Sequence, residues 1–409
     1  MDILYISNLY PPSVGGAQVH LHQLAKVMQG FGNHVSVITL TTRSRTDWLR
    51  LSTVFTEKDS RYKYEGVDIW KIGFSVWTRI RMAPWAFAYY PFMGTSVRRI
   101  SALMSPYLEG CARVPSIVHA SRIGREFLSR TALNFARRHD VPFVLTPNHH
   151  PRWKGFLYRE YNRIYQEADA IIALTTAEKK TLVEECGVRE DRVHITGIGP
   201  LLSEEHYDET FRARFGLKER FVLFLGQQLR HKGIHIILQA APLVWRKHPD
   251  VRFVFIGPQT PYSRSLFQGV KDPRVLNIGL VDLETKTSAL ASCELLCLPS
   301  TQESFGGVFV EAWSFRKPVI GGRIGPIASV IEEGRDGLLS GQDPAELARA
   351  IATLLSDPEM CREMGESGWK KVRERYSWDK IVQNTYGVYR SLCEGRDELK
   401  GLAGSIDHS

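Results

Sequence analysis

The chain has 409 residues, 43% hydrophobic and 24% charged, the balance of a globular protein long enough for two or three domains and more than one buried core. Lysine and arginine number 53 against 44 acids, a net charge of +9 with a pI near 9.2, which calls for an acidic partner: nucleic acid, an anionic membrane surface or phosphorylated small molecules. The 6 cysteines form no framework, which excludes a disulfide scaffold and agrees with a reducing compartment, and the absence of repeats excludes a solenoid.

The start, MDILYISNLYPPSVGG, has no basic stretch ahead of a long apolar one, so it reads as strand and loop and places the protein in the cytoplasm. DILYIS, HVSVITL, DIWKI, SIVHA, PFVLT and AIIAL then form a first series of strands. Amphipathic helices are predicted between them at VHLHQLAKVMQGF and GREFLSRTALNFARRH. After RVHI, the stretch 196-TGIGPLLSEEHYDE-209 is rich in Gly, Pro and acids and marks a domain break. FVLFLG, VRFVFIG, ELLCLPS and PVIGG form a second series, with helices at IHIILQAAPLVWRK and DPAELARAIATLLSD. Apolar strands alternating with helices predict parallel sheets covered on both faces: two doubly wound, Rossmann-like α/β domains, 1–198 and 199–375, facing across a cleft. A last helix, about 376–395, is expected to pack back on the first domain. Cys293 and Cys297, in ASCELLCLP, read as buried strand residues rather than metal ligands.

In open α/β sheets, ligands gather at the carboxyl ends of strands, where helix N-termini offer free amides. Four loops qualify: YPPSVGG, TPNHHPRWKG, GQQLRHKG and PSTQESFGG. Arg230 and Lys232 in the third bring cations and helix amides to one point, an anion site. In the fourth, Gly306 and Gly307 let backbone approach a bulky anion, with amides from Phe305 to Gly307 facing it. Glu303 and Glu311 bracket that turn but repel phosphate. At about 1.5 Å per residue they lie roughly 12 Å apart or less, a span that brackets a diphosphate, so one carboxylate serves a sugar and the other a ribose. A nucleotide-diphosphate sugar has that layout.

Other chemistries lack their motifs. No G-x-G-x-x-G follows the first strand, no G-x-x-x-x-G-K-[ST] or G-x-S-x-G occurs, and no D-x-D is present for a metal-bound diphosphate. His231 and His235 have i, i+4 spacing without a third ligand, and His20 and His22 face different ways on their helix.

Taken in order along nearly the whole chain, the acid-x7-acid pattern, PPSVGGAQVHLHQLA, EADAIIALTTAEKKTLVEECGV, GQQLRHKG and LPSTQESFGGVFVEAWSFRKPVI followed by GRDGLL resemble the family 4 retaining glycosyltransferases of the GT-B fold, the glycosyl transferases group 1. The resemblance implies hexosyltransferase-type transfer with retention, needing no metal or other cofactor, from a nucleotide sugar to an acceptor hydroxyl. The acceptor is expected on a lipid-linked glycan or another precursor of cell-surface polysaccharide. It implies that Arg230 and Lys232 neutralise the donor diphosphate, Glu303 holds donor-sugar hydroxyls, Glu311 holds the ribose and Val281 meets the base through its backbone. Gly15 and Gly16 close over the donor phosphate, Ser304, Phe305, Gly306 and Gly307 complete the donor-binding set, and His149, with His150 as its substitute, contacts the donor sugar. The chain departs from the family at TGIGPLL, in place of asparagine-glycine-valine-aspartate. It departs again at PVIGGRIGPIASVIEEG, which lacks the usual glycine pair followed by an acid, and at Arg316, where a small residue is common.

Two other functions are weighed: a sugar-nucleotide epimerase or hydrolase of the same fold, and a basic nucleic-acid-binding protein. The second lacks a recognised module, so nucleic acid is not an expected partner. Between Asp68 and Glu109 there is no acid, and Lys71, Arg79, Arg81, Arg98 and Arg99 interleave with Trp77, Trp85, Phe87, Tyr89, Tyr90 and Phe92. The segment is too short and proline-broken to span a bilayer, which takes about 20 apolar residues. Its aromatics either fill the first domain's core beside a soluble acceptor or dock the protein peripherally on the anionic inner face of the membrane.

Overall fold

Alternate residues of a strand point to opposite sides of its sheet, and in the first unit both sides are covered. The structure, a computed structural model, describes residues 1–12, 16–41, 56–110, 113–121, 126–149 and 155–406, with backbone only for Leu157, Asp208 and 397–406. Contacts divide the chain into one unit of Met1–Thr196 with Trp378–Ser409 and a second of Gly197–Ser377.

The first unit is built on β1 (Asp2–Leu9), β2 (His34–Thr41), β3 (Ser60–Tyr64), β4 (Val67–Lys71), β5 (Ile117–Ser121), β6 (Phe143–Thr146), β7 (Ala170–Ala173) and β8 (Val193–Ile195). Their order is β3-β4-β2-β1-β5-β6-β7-β8, parallel except where β3 pairs with β4. Leu4 and Ile6 of β1 enter one core with Ile100 and Met104 of helix Met93–Glu109 and Phe127 and Leu133 of helix Glu126–Arg138. Ile3 and Tyr5 enter the other with Leu21, Leu24 and Met28 of helix Gly16–Gly30 and Ile381, Val382 and Tyr389 of the last helix, Trp378–Ile406. That last helix therefore belongs to the first sheet.

Polar wiring accompanies the packing. Tyr389 bonds His119 Nδ1, and His119 Nε2 lies 2.8 Å from Thr146 Oγ1, so the last helix reaches the carboxyl end of β6 through two buried side chains. His20 stacks on Trp378 at 5.4 Å.

The second unit carries β9 (Phe221–Leu225), β10 (Arg252–Ile256), β11 (Val275–Gly279), β12 (Leu295–Leu298), β13 (Val319–Gly322) and β14 (Gly337–Ser340), all parallel in the order β11-β10-β9-β12-β13-β14. Cys297 is buried in β12, and Cys293 is buried at the end of the helix before it. Arg316 has a left-handed φ of 53°, a conformation that disfavours side chains. Its guanidinium is held 2.8 Å from Glu366 Oε2 and 4.1 Å from the Trp369 ring centre, contacts that a small residue would lack.

Burial pushes the imidazoles of His20 and His119 down to about 4 and about 3, so both are uncharged in the fold. Unfolded, they take up protons near pH 6.5. Their contribution to stability is therefore present above about pH 6.5 and lost as pH falls toward their folded values. A His20→Phe variant should show a shallower fall of unfolding temperature between pH 7 and pH 5 than the wild type. An unchanged slope counts against this account.

Candidate active site

β9 and β12 are neighbours, but the chain leaves β9 for β10 on one side and β12 for β13 on the other. Loops after two such strands diverge, opening a crevice at the switch point where ligands settle in open sheets. Both loops run into helices whose first residues have no side-chain cap, Ile234–Val244 starting at Gly233 and Gly307–Ser314 starting at Gly306. Helices after β10, β11 and β14 are capped by Thr260, Asp282 and Asp343. First-turn amides left without a cap are the groups an anion satisfies.

The two loops are locked together. Thr301 N–H and Ser300 Oγ–H donate to the His231 carbonyl at 2.8 and 3.1 Å. Gly306 has φ 85°, and a Cβ there would stand 2.4 Å from the Phe309 ring, so the turn requires glycine. Gly307 differs: the nearest atom to an added Cβ would be a methyl of Ile198 at 3.6 Å, ordinary contact. Phe305 is buried edge-on against Tyr376 at 5.3 Å, leaving only its backbone for a ligand, while Ser304 is half-buried.

Each bracketing carboxylate is held by a different lysine. Glu303 pairs with Lys232 of the β9 loop. Glu311, buried, has Oε1 2.9 Å from Lys286 Nζ and accepts the Leu201 N–H at 3.4 Å. Its Oε2 is buried and has no hydrogen-bond partner among the described residues. Arg230 is exposed and borders a recess of about 410 Å³ with His231, His235, Thr301, Gln302 and Gln342. Val281, two residues past β11, is half-buried. A larger hollow of about 610 Å³ lies beside β1, β2 and β4, around Asp2, His34 and Arg61, and none of these site residues lines it.

In the first unit, His149 lies past the end of β6 and is buried; its N–H donates to Glu178 Oε1 at 2.5 Å, and its Nδ1 is 3.1 Å from the Tyr165 hydroxyl. Glu178 Oε2 accepts the Leu174 N–H at 2.7 Å, and burial raises its carboxyl to about 7 against the pull of these two donors. Gly16 opens the first helix; Gly15 and His150 lie outside the described residues. Sequence reasoning did not single out Glu178, Tyr165 or Lys286. The pattern Thr175-x-x-Glu178 signals a capping box, and Thr175 does cap the helix at 3.0 Å, but Glu178 turns instead to the histidine loop.

The aromatic segment divides. Trp85, Tyr89 and Tyr90 pack on the core, whereas Trp77, Ile80, Phe87 and Phe92 are 76%, 56%, 58% and 66% exposed. Arg81, Arg98 and Arg99 are also exposed, but Arg79 is half-buried, its Nε donating to the Phe74 carbonyl at 2.8 Å. Among the described residues no helix is long and apolar enough to cross a membrane.

Two doubly wound sheets, one with uncapped helix ends and two bracketing carboxylates at its switch point, define an architecture of two Rossmann-like units. Family models describe the same chain: Glycosyl transferase 4-like domain over residues 15–199 and Glycosyl transferases group 1 over residues 208–371. The chain belongs to the family 4-type glycosyltransferases of the GT-B fold. It is 29% identical over 254 residues to the D-inositol 3-phosphate glycosyltransferase of Corynebacterium urealyticum, which covers 56% of this chain but only 58% of that one. With the glycogen synthase of Mycobacterium tuberculosis it shares 24% identity over 425 residues, 100% of this chain and 99% of that one. Among solved structures, Anabaena HepE in complex with UDP and glucose has the same fold, with a TM-score of 0.70 at 18% identity, covering 96% of this chain and 100% of that one.

The two glycines separate folding from binding. Gly306→Ala should destabilise the protein by roughly 1–3 kcal/mol, the cost of a strained backbone position. Gly307→Ala should melt close to the wild type yet bind nucleotide diphosphate more weakly, because its methyl enters the amide cradle. Calorimetric melting together with nucleotide titration checks the pair; a Gly307→Ala protein with native affinity overturns the cradle.

Proposed function

We propose that the protein transfers a sugar, with retention of anomeric configuration, from a nucleotide-diphosphate sugar to an acceptor hydroxyl. The observation that carries this reading is the pair of carboxylates, Glu303 and Glu311, held by separate lysines around an uncapped helix N-terminus. The helix amides, Lys232 and Arg230 receive the diphosphate and stabilise the charge that grows on it as the glycosidic bond breaks, an electrostatic contribution that dominates many sites. Glu303 holds sugar hydroxyls, Glu311 holds the ribose, and Val281 meets the base through its backbone. His149, fixed by Tyr165 and Glu178, is the histidine assigned to the donor sugar in this reading. Glu303 is occupied by Lys232, which favours front-face attack, with the leaving diphosphate taking the acceptor proton, over an enzyme carboxylate nucleophile. These cations and amides balance the diphosphate charge without a metal.

Glu311→Ala should weaken binding of free nucleotide, while Glu303→Ala should leave it near the wild-type value and lower turnover with the sugar nucleotide. Titration and steady-state kinetics, run with and without EDTA, test both points. Equal loss of nucleotide affinity in the two variants, or restoration by magnesium of activity lost to EDTA, contradicts the assignment.

The acceptor in this reading is lipid-linked, a precursor of surface polysaccharide reached on the cytoplasmic leaflet. What supports it is the exposure of Trp77, Ile80, Phe87 and Phe92 together with that of Arg81, Arg98 and Arg99. Aromatic rings favour the headgroup level, and each cation near an anionic surface adds about 1 kcal/mol. Arg79 is tied to backbone and is not part of that set. The protein should pellet with phosphatidylglycerol vesicles at low salt and release as salt rises, and Arg81→Glu with Arg98→Glu should stay in the supernatant. Failure of the wild type to pellet leaves a soluble acceptor.

A further inference from the structure

The turn that faces the anion has one apolar anchor. Gly306 and Gly307 have no side chain to seat, so the aim of the amides of residues 305–307 depends on where the buried Phe305 ring is held. Tyr376 holds it, meeting the ring edge-on at 5.3 Å and 86°. Tyr376 closes a single π-helical turn, Val372–Tyr376, which continues helix Pro358–Lys371 and packs against helix Gly307–Ser314. Such turns add a residue to the helical repeat and re-aim the side chains beyond it; they are rare, and frequent at functional sites. The same ring covers Gly197, whose φ is 78° and where an added Cβ would stand 2.6 Å from Tyr376 Cε1 and 3.5 Å from Phe305 Cε2. Ile198, the next residue, is the one whose methyl lies closest to a Cβ added on Gly307. The chain enters this unit at Gly197 and leaves it after Ser377. One ring therefore joins the entering segment, the leaving segment and the anion-facing turn.

We propose that Tyr376 is a positioning residue for donor binding: by seating Phe305 it aims the amides of residues 305–307 at the diphosphate, and it does so from the point where the chain leaves the unit. The inference rests on the reading of that turn as the diphosphate site and adds a residue that acts through Phe305 alone. Its contribution is preorganisation. A turn of two glycines that loses the wall behind its one anchor must be ordered by the ligand, and that ordering is taken from affinity. The effect belongs to the ring and not to the hydroxyl, since what Tyr376 meets here is a phenyl ring and a glycine.

The test is a double-mutant cycle read by calorimetric titration with whichever of UDP, GDP and ADP the wild type binds most tightly. Tyr376→Ala should bind it about threefold to tenfold more weakly, the equivalent of one aromatic pair, while Tyr376→Phe should match the wild type. In a Gly307→Ala background, where a methyl already blocks the amides, Tyr376→Ala should cost no further affinity. A merely structural role predicts something else: a lower melting temperature and fewer titratable sites, with the dissociation constant of the folded protein unchanged. Should the alanine variant not fold, Tyr376→Leu, which stays apolar but loses the ring, is read in its place against the same outcomes. Wild-type affinity in Tyr376→Ala, a loss that adds in full to that of Gly307→Ala, or a Tyr376→Phe protein as weak as Tyr376→Ala overturns the positioning role. If Gly307→Ala keeps native affinity, or the wild type binds none of the three nucleotides, the diphosphate reading itself fails.

Discussion

The divergence of two backbone loops at the carboxyl ends of β9 and β12 is the constraint on which the site depends. A parallel sheet buried on both faces sends each chain excursion out over the same edge, and where the excursions part, backbone amides lack neighbours to satisfy them. Natural helices usually meet that need with a Ser, Thr, Asp or Asn, each worth about 1 kcal/mol. The helices after β10, β11 and β14 follow the rule; the two at the divergence do not, nor does the one-turn helix Gly325–Ala328 after β13. Glu311 Oε2 adds a buried acceptor without a donor among the described residues, a deficit of about 1–3 kcal/mol. Phosphate oxygens and a hydroxyl remove both deficits at once, so free energy withheld from folding is returned on binding.

Much of the architecture was legible because burial on both faces leaves a plain signature. SIVHA, PFVLT, AIIAL, FVLFLG and ELLCLPS are uninterrupted apolar runs, and their strands are buried at every position. The strands absent from the predicted series lie toward the sheet margins. β3 alternates half-buried and exposed residues, β11 is half-buried over four of its five positions, and β14 is four residues opening on a glycine. Their pairing is decided by neighbours rather than by their own composition. The last helix was expected over about 376–395 but runs from Trp378 to Ile406, through Gly395, Gly401 and Gly404, residues that read as helix breaks.

For the site, residue types were legible and pairings were not. Glu303 and Glu311 stand out by spacing, but the lysines that hold them come from 71 and 25 positions away, distances at which no local pattern operates. Lys286 sits in LETKTSALAS, where it reads as a solvated helix cation until Glu311 is packed against it. Glu178 reads as a cap partner and proves to brace His149. Arg79, counted with the outward cations, turns inward to a carbonyl, because a half-buried guanidinium finds a backbone acceptor within five residues.

The last helix has a further consequence, which concerns the order in which the molecule is made. Ile381, Val382 and Tyr389 complete the core beneath Ile3, Tyr5 and Leu24, and Tyr389 closes the bond to His119. These residues leave the ribosome after the entire second unit, which is continuous from Gly197 to Ser377. At about 5–20 residues per second, the intervening stretch leaves that face of the first sheet covered only in part, by the helix Gly16–Gly30, for roughly ten seconds or more. All six strands of the second unit are therefore synthesised before the helix that completes the core of the amino-terminal unit.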